Sequence, residues 1–277
     1  MSSPLRLAAP AKLNLSLRVV GRRDDGLHEL DSLFVLLELA DDLLLLPGCS
    51  GLRVEGAEAG SLPIGTDNLA WRGLVAGMGE APDLACLALD KRIPAAAGLG
   101  GGSSDAAAAW RLGRAWQGRR PDAAGEDDLT ALATIGADVP FFAAGTPAAR
   151  VTGIGERVAP LPAIELEVVL VHPPFRLLTA DIFAELERDE WGRQENDLLA
   201  PARRLRPELD DLFAVVATDG GQPMLTGSGP TVFSLDDDPD RAVALATRLA
   251  GRGLRTTHTR TRTTPPSIER IGEEPDR

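Results

Sequence analysis

The chain has 277 residues, 44% of them hydrophobic and 25% charged, enough for one large or two modest domains around a sizeable core. That core must lean on Leu, Val and Ala, because Tyr is absent and aromatic residues make up only 4%. A formal charge of −12 excludes a general binder of nucleic acid or of anionic membranes, both of which need a basic surface, but leaves room for a local basic pocket.

The N-terminus has no long apolar run, so no secretory signal is expected there. Polar and apolar residues alternate over 12–19, the period of a half-buried strand, and a charged turn follows over 21–26. Residues 30–39 and 42–46 read as two more strands. The apolar stretch that contains them is broken by Glu38, Asp41 and Asp42 and is too short to span a bilayer. Cys49 and Cys86 are too few for a disulfide framework or a zinc site and read as reduced thiols, in keeping with a cytoplasmic protein. A short strand is expected at 52–55, a helix at 68–78, a strand at 84–90, a loop at 91–102 and a helix at 103–116. A short helix at 129–135 leads into a sharp turn, Gly136-Ala-Asp138-Val-Pro140, since the residue before proline is pushed away from helix.

The prolines at 160 and 162 suggest a junction, after which the pattern restarts with a buried strand at 168–171. Helices are expected at 179–187, capped by Thr179, and at 196–205 and 208–216. Strands at 224–226 and 231–235 flank a second glycine turn, Gly227-Ser228-Gly229-Pro230. An amphipathic helix at 240–249 and a strand at 254–261 follow, and the charged tail 265–277 is expected to fray. The sum is an α+β chain in two lobes.

The chemistry concentrates in Pro94, Ala95, Ala96, Ala97, Gly98, Leu99, Gly100, Gly101, Gly102, Ser103, Ser104 and Asp105, which run into four alanines. Glycines let backbone N–H groups approach a ligand, and the alanines favour a helix whose start carries unpaired N–H groups and partial positive charge. Phosphate is the usual occupant of such a site. The bland alternative is a glycine turn with a serine cap and no ligand. A Walker A loop would need Lys where Gly102 stands, and a dinucleotide fingerprint would need a third glycine at Ser103. Asp138 and Lys12 could each be an ordinary turn or strand residue. Side by side they would form a pair in which the cation keeps the carboxylate ionised, ready to accept a proton from an attacking alcohol.

The glycine segment resembles the phosphate loop of the GHMP kinases. Three further segments, Pro10-Ala-Lys12-Leu-Asn14-Leu, Asp25-Gly-Leu27-His28-Glu-Leu and Gly136-Ala-Asp138-Val-Pro140-Phe-Phe, resemble the branch of that family acting on a cytidine-diphosphate-linked methylerythritol. Leu225-Thr-Gly227-Ser-Gly229 resembles the family's C-terminal glycine motif. The resemblance implies an N-terminal domain like ribosomal protein S5 domain 2 over 1–158, a ferredoxin-like domain over 159–264 and a flexible tail. It implies ATP and Mg2+ as cofactors, transfer of phosphate to a small-molecule 2-hydroxyl, no nucleic-acid or membrane partner, and a monomer or weak homodimer. It also implies roles: Lys12 and Asp138 as the catalytic pair, Asn68, Lys91 and Pro94 to Ser104 around ATP, and Asn14, Leu27, His28, Thr179 and Phe183 around the alcohol substrate. No residue is assigned to metal. The family carries an aromatic, typically Tyr, where Leu27 stands, so weaker clamping of the base is expected, with Phe183 carrying most of the stacking. The alternatives are a mevalonate- or homoserine-type kinase of the same family and a non-catalytic nucleotide-binding module. The presence of both Lys12 and Asp138 argues against the module.

Overall fold

Polar–apolar alternation from Leu5 onward builds longer strands than the periodicity suggests. In the computed structural model, which describes residues 3–272 other than 61, 81, 83 and 123, β1 spans Leu5–Arg22 and β2 spans His28–Pro47, paired antiparallel. The two strands expected at 30–39 and 42–46 are therefore one. The acidic residues that suggested a break are accommodated, Asp41 by burial against Lys91 and Asp42 by Arg6 on β1. Register shifts between Pro10 and Lys12 and between Asn14 and Ser16 bend the pair where Lys12 and Asn14 sit.

The long β2 serves two neighbours. Its C-terminal end pairs with β4 (Ala85–Asp90), which pairs in parallel with β3 (Gly51–Glu55). Its N-terminal half pairs with β5 (Ala148–Gly153), which carries β6 (Arg157–Leu161). Neither β5 nor β6 stands out in the sequence. Their inward residues Ala148, Ala149 and Val151 are small or β-branched and lie among Gly, Pro and Thr. The first sheet, seven-stranded, thus reaches past the expected boundary at 158/159. Helices α1 (Leu69–Met78), α2 (Gly101–Trp116), α3 (Glu126–Ala133) and α4 (Val139–Ala143) belong with this sheet. The expected sharp turn at Pro140 is instead the one-and-a-half turns of α4, because proline is tolerated in the first turn of a helix.

Glycine decides how closely α1 meets α2. A Cβ on Gly73 would lie 2.0 Å from the Ala106 carbonyl oxygen, and one on Gly77 2.3 Å from that of Trp110. The two backbones touch, and Ala106 to Ala109 are buried beneath them.

The second sheet has four strands in the order β10–β7–β9–β8, all antiparallel neighbours: β7 (Glu167–His172), β8 (Met224–Leu225), β9 (Val232–Asp236) and β10 (Arg255–Arg260). Helices α5 (Thr179–Glu185), α6 (Leu199–Leu205) and α7 (Glu208–Thr218) lie between β7 and β8, and α8 (Pro239–Gly251) lies between β9 and β10. This order and alternation are ferredoxin-like. Leu178, not Thr179, occupies the cap position of α5. The two sheets share a core in which Ala11, Leu13, Val35 and Leu37 of the first pack with Val168, Leu170 and Phe233 of the second.

Two further expectations fail. Cys49 and Cys86 are joined as a disulfide, not held as separate thiols. Cys49 lies in the turn from β2 to β3, and both strands flank β4, where Cys86 pairs with Leu46 and Gly51. A sequence separation of 37 hides that proximity. Nor does the segment from Pro265 fray throughout. Glu269–Arg270 forms β11 on β1, and the Pro266 carbonyl accepts from Arg111 at 3.0 Å. Residues 273–277 of the expected tail lie outside the described residues. Among the described residues, no helix is long and apolar enough to cross a membrane.

Gly73→Ala is expected to destabilise the chain by about 1–3 kcal/mol through overpacking against α2, despite alanine's better helix propensity. A lowered midpoint in urea denaturation checks this, and an unchanged or raised midpoint would contradict the contact.

Candidate active site

Where the two sheets meet, a cavity of about 580 Å³ is lined by Lys12, Asn14, Asn68, Lys91, every residue from Pro94 to Ser103, Asp138, Thr179 and Phe183. The floor is the glycine segment. Gly100, with φ +69°, caps α2 in the left-handed conformation, and the first intrahelical bond runs from Ser104 N–H to Gly100 O. The helix therefore begins at Gly101, two residues earlier than expected. The amides of Gly101, Gly102 and Ser103 have no acceptor within the helix and stand on the cavity wall. No acidic side chain stands in that first turn, so the positive end of the helix is left uncompensated there.

The second glycine turn clamps the first. Gly98 has φ +76°, and a Cβ on it would lie 2.3 Å from the Thr226 carbonyl oxygen. Thr226 Oγ1 donates to Gly98 O at 3.2 Å, and Lys12 N–H donates to Leu99 O at 2.9 Å. Asn196, a residue the sequence reading did not single out, holds this turn through Nδ2 bonds to Leu225 O and Gly227 O at 2.8 and 2.9 Å. The only local hint is its position in a polar loop. Its partners are some thirty residues away. Thr179 bonds Ser228 Oγ at 2.9 Å, so α5 is tied to the same turn.

Lys12, 3% exposed, rises between these turns. Its Nζ is 2.5 Å from Asn14 Oδ1, 3.5 Å from Asp138 Oδ2 and 4.9 Å from the centre of the Phe34 ring. Asn14 is fixed in turn by donating to Ser32 Oγ at 2.9 Å, and Ser32 donates to Ser16 O. That chain sets the Asn14 amide so that its oxygen faces the ammonium. Asp138, at the start of α4, keeps 30% of its side chain exposed to the cavity. The cavity thus combines a buried cation, a reachable carboxylate and a row of free amides. An anion can bind, and a hydroxyl can lose a proton, in the same place.

Phe183 also borders a second cavity of about 680 Å³, lined by Arg22, His28, Arg188 and Trp191 among others. His28 stacks on Phe183 with centroids 5.1 Å apart. Burial, helped by Arg22, lowers its pKa, so the ring is neutral at neutral pH with one donor and one acceptor nitrogen.

Residues 68–146 match the GHMP kinases N terminal domain and residues 178–254 the GHMP kinases C terminal domain. The 4-diphosphocytidyl-2-C-methyl-D-erythritol kinases of Paracoccus denitrificans and Dinoroseobacter shibae are 40% and 39% identical, over 89% and 91% of this chain and 92% of each relative. The chain belongs to the 4-diphosphocytidyl-2-C-methyl-D-erythritol kinase family. A solved structure of a 4-(cytidine 5'-diphospho)-2C-methyl-D-erythritol kinase superposes with a TM-score of 0.75 at 35% identity, covering 93% of this chain and 99% of that one.

Within this member of the GHMP kinases, three of the sequence-selected residues stand apart from the main cavity. Leu27 is 50% exposed and lines neither cavity, because the turn at Gly26 (φ +87°), closed by Arg23 N–H to Leu27 O, leaves it in solvent. His28 lines the second cavity only. Ser104 is buried in α2 with no hydrogen-bond partner for Oγ among the described residues and is absent from the cavity wall. Asn68 reaches the wall, but its side chain is engaged. Oδ1 caps α1 by accepting from Ala70 N–H at 2.9 Å, and Nδ2 donates to Pro63 O at 2.7 Å.

Lys91 is likewise engaged. Its ammonium sits between Asp41, an ion-pair partner, and Asp105 Oδ2 at 2.7 Å, all three side chains being buried. Asp41 also accepts from the amides of Arg92 and Ile93 at 2.6 and 2.8 Å, which fixes the start of the glycine segment. Burial outweighs the Lys91 cation and pushes the Asp105 carboxyl up to about 8, with Asp41 adding to the rise. For Lys91 the pairing with Asp105 and Asp41 overcomes the effect of burial and raises its pKa, so it remains a cation. The folded chain therefore holds a proton on Asp105 that the unfolded chain releases above about pH 4. Stability from this group is present at low pH and falls as pH rises towards 8. Asp105→Asn, which mimics the neutral acid, is expected to flatten that fall. Urea midpoints measured across this range for both proteins check it, and parallel pH profiles would contradict the assignment.

Proposed function

We propose that this protein transfers the γ-phosphoryl group of ATP to the 2-hydroxyl of 4-diphosphocytidyl-2-C-methyl-D-erythritol, a step of the non-mevalonate route to isoprenoids. The observation that carries the reading is the meeting of Lys12 and Asp138, 3.5 Å apart, beside the free amides of Gly101 to Ser103. The relatives at 40% and 39% identity bear the name of this activity.

On this reading the triphosphate lies over the glycine segment, where backbone amides and the α2 N-terminus neutralise charge on the group in transfer. Asp138, with its carboxylate half-open to the cavity, would be an outer partner for Mg2+ accompanying ATP, and that cation would supply charge to offset the phosphates. Asp138 holds the substrate hydroxyl in line and accepts its proton. Lys12, fixed by Asn14, stands beside Asp138 and faces the incoming oxygen. Thr179 and Phe183 approach the alcohol from the second sheet's side, and His28 reads the base beyond Phe183.

All of these walls come from one chain, which supports a monomer or weak homodimer as the working form. The first sheet, which runs on through Leu161, and the second act as the two units that close the cavity, with 265–272 returning to the first. The enzyme works in the cytoplasm, where ATP is supplied, and neither cysteine lines the cavity.

Asp138→Ala is expected to lower kcat by about 10²–10⁴-fold while ATP still binds. An assay of ADP release with 4-diphosphocytidyl-2-C-methyl-D-erythritol, mevalonate and homoserine side by side tests both points. Turnover of mevalonate or homoserine alone would overturn the substrate, and near-normal turnover by the variant would overturn the role of Asp138.

A further inference from the structure

The second cavity has an aromatic residue, Trp191, that the sequence reading did not include. Trp191 meets His28 edge-on, with ring centres 5.5 Å apart and planes at 84°, while His28 stacks on Phe183 at 20°. Arg188 stands over the indole at 5.9 Å, and Arg22 lines the same cavity. Two arginines, a neutral imidazole and two larger aromatic rings suit a planar base carrying a charged phosphate chain. Phe183 borders both cavities, so a ligand can run from Asp138 past Phe183 to Trp191.

The loop behind Trp191 is built to hold it still. Asp197, fully buried, accepts from the amides of Gly192, Arg193 and Gln194 at 2.6, 3.1 and 3.0 Å. It also accepts from Val19 N–H on β1 at 2.8 Å. Leu17 adds two backbone bonds to the same loop, through Glu195 O and Asp197 N–H. On the other side Glu190 is gripped by Arg204 at 2.6 Å. The indole N–H is buried with no hydrogen-bond partner among the described residues, and ring contacts and this pinned loop set the ring's position. Residue 27, where the family has its aromatic, is half in solvent and outside the cavity.

We propose that Trp191 is a specificity-determining residue of this enzyme, walling the cavity that takes the pyrimidine base in place of residue 27. The inference rests on the substrate reading above and adds the residue that recognises the base. Trp191 holds the His28 ring stacked on Phe183, so that the hydrogen-bonding edge of the imidazole is fixed before the base arrives. The second lobe thereby supplies both large aromatic surfaces of the site.

The test uses the full chain and the variants Trp191→Ala, Trp191→Phe and Leu27→Ala. Trp191→Ala is expected to raise KM for 4-diphosphocytidyl-2-C-methyl-D-erythritol about tenfold, the size of one lost base–aromatic contact, with kcat and the KM for ATP unchanged. Trp191→Phe restores most of the loss. Cytidine monophosphate quenches the intrinsic fluorescence of the parent protein in a saturable way, and Trp191→Phe removes that quench. The proposal is overturned if the KM for the cytidine substrate does not move, if KM for ATP rises as much, or if Leu27→Ala has the same effect as Trp191→Ala. If the parent protein turns over a different alcohol, the substrate reading fails instead. The cytidine monophosphate titration then decides Trp191 separately, and an absent quench overturns it.

Discussion

The site depends on a contact between two peptide backbones. Gly98 and the Thr226–Gly229 turn lie so close that a single methyl group on Gly98 would collide with a carbonyl oxygen. That contact joins the two sheets at the place where the phosphate-binding amides begin. It also sets the height of Lys12, whose amide bonds Leu99 O and whose ammonium lies just below Gly227. Only glycine permits the positive φ and the approach together, so both turns are glycine-rich for one reason. The shared core of Leu13, Val35, Leu170 and Phe233 behind them supplies the burial that holds the lobes together.

Two buried lysines face this region with opposite consequences. Lys91 is held between Asp41 and Asp105 and has no charge left over for a ligand, so its part is to fix the glycine segment from beneath through Asp41. Lys12 has one neutral amide and one half-open carboxylate as partners. Its charge is the one the cavity can use. A buried cation is costly unless paired, and the chain meets that cost in two ways, one structural and one chemical.

Asn196 and Asp197 show how the second lobe is tied to the first. One holds the glycine turn and the other pins the loop of Trp191 to β1. Two adjacent side chains thus govern the phosphate end and the base end of the site. Neither sits in a periodic pattern, and neither bears a residue type that marks it among many polar loop residues.

Much of the design was readable in the chain itself. The alanine-rich helix behind three glycines and the alternating strand bearing Lys12 and Asn14 depend on local rules of periodicity, chirality and capping, and these act over a few residues. Tertiary structure decided what those rules cannot reach. It merged two predicted strands into β2 because the acidic residues between them found partners in Arg6 on β1 and Lys91 just after β4. It closed Cys49 onto Cys86 because both strands beside β4 lead to one turn. It set Leu27 in solvent and put Trp191 beside His28, because the position of an aromatic wall is fixed by which loop a distant carboxylate can hold, and no spacing along the sequence encodes that distance.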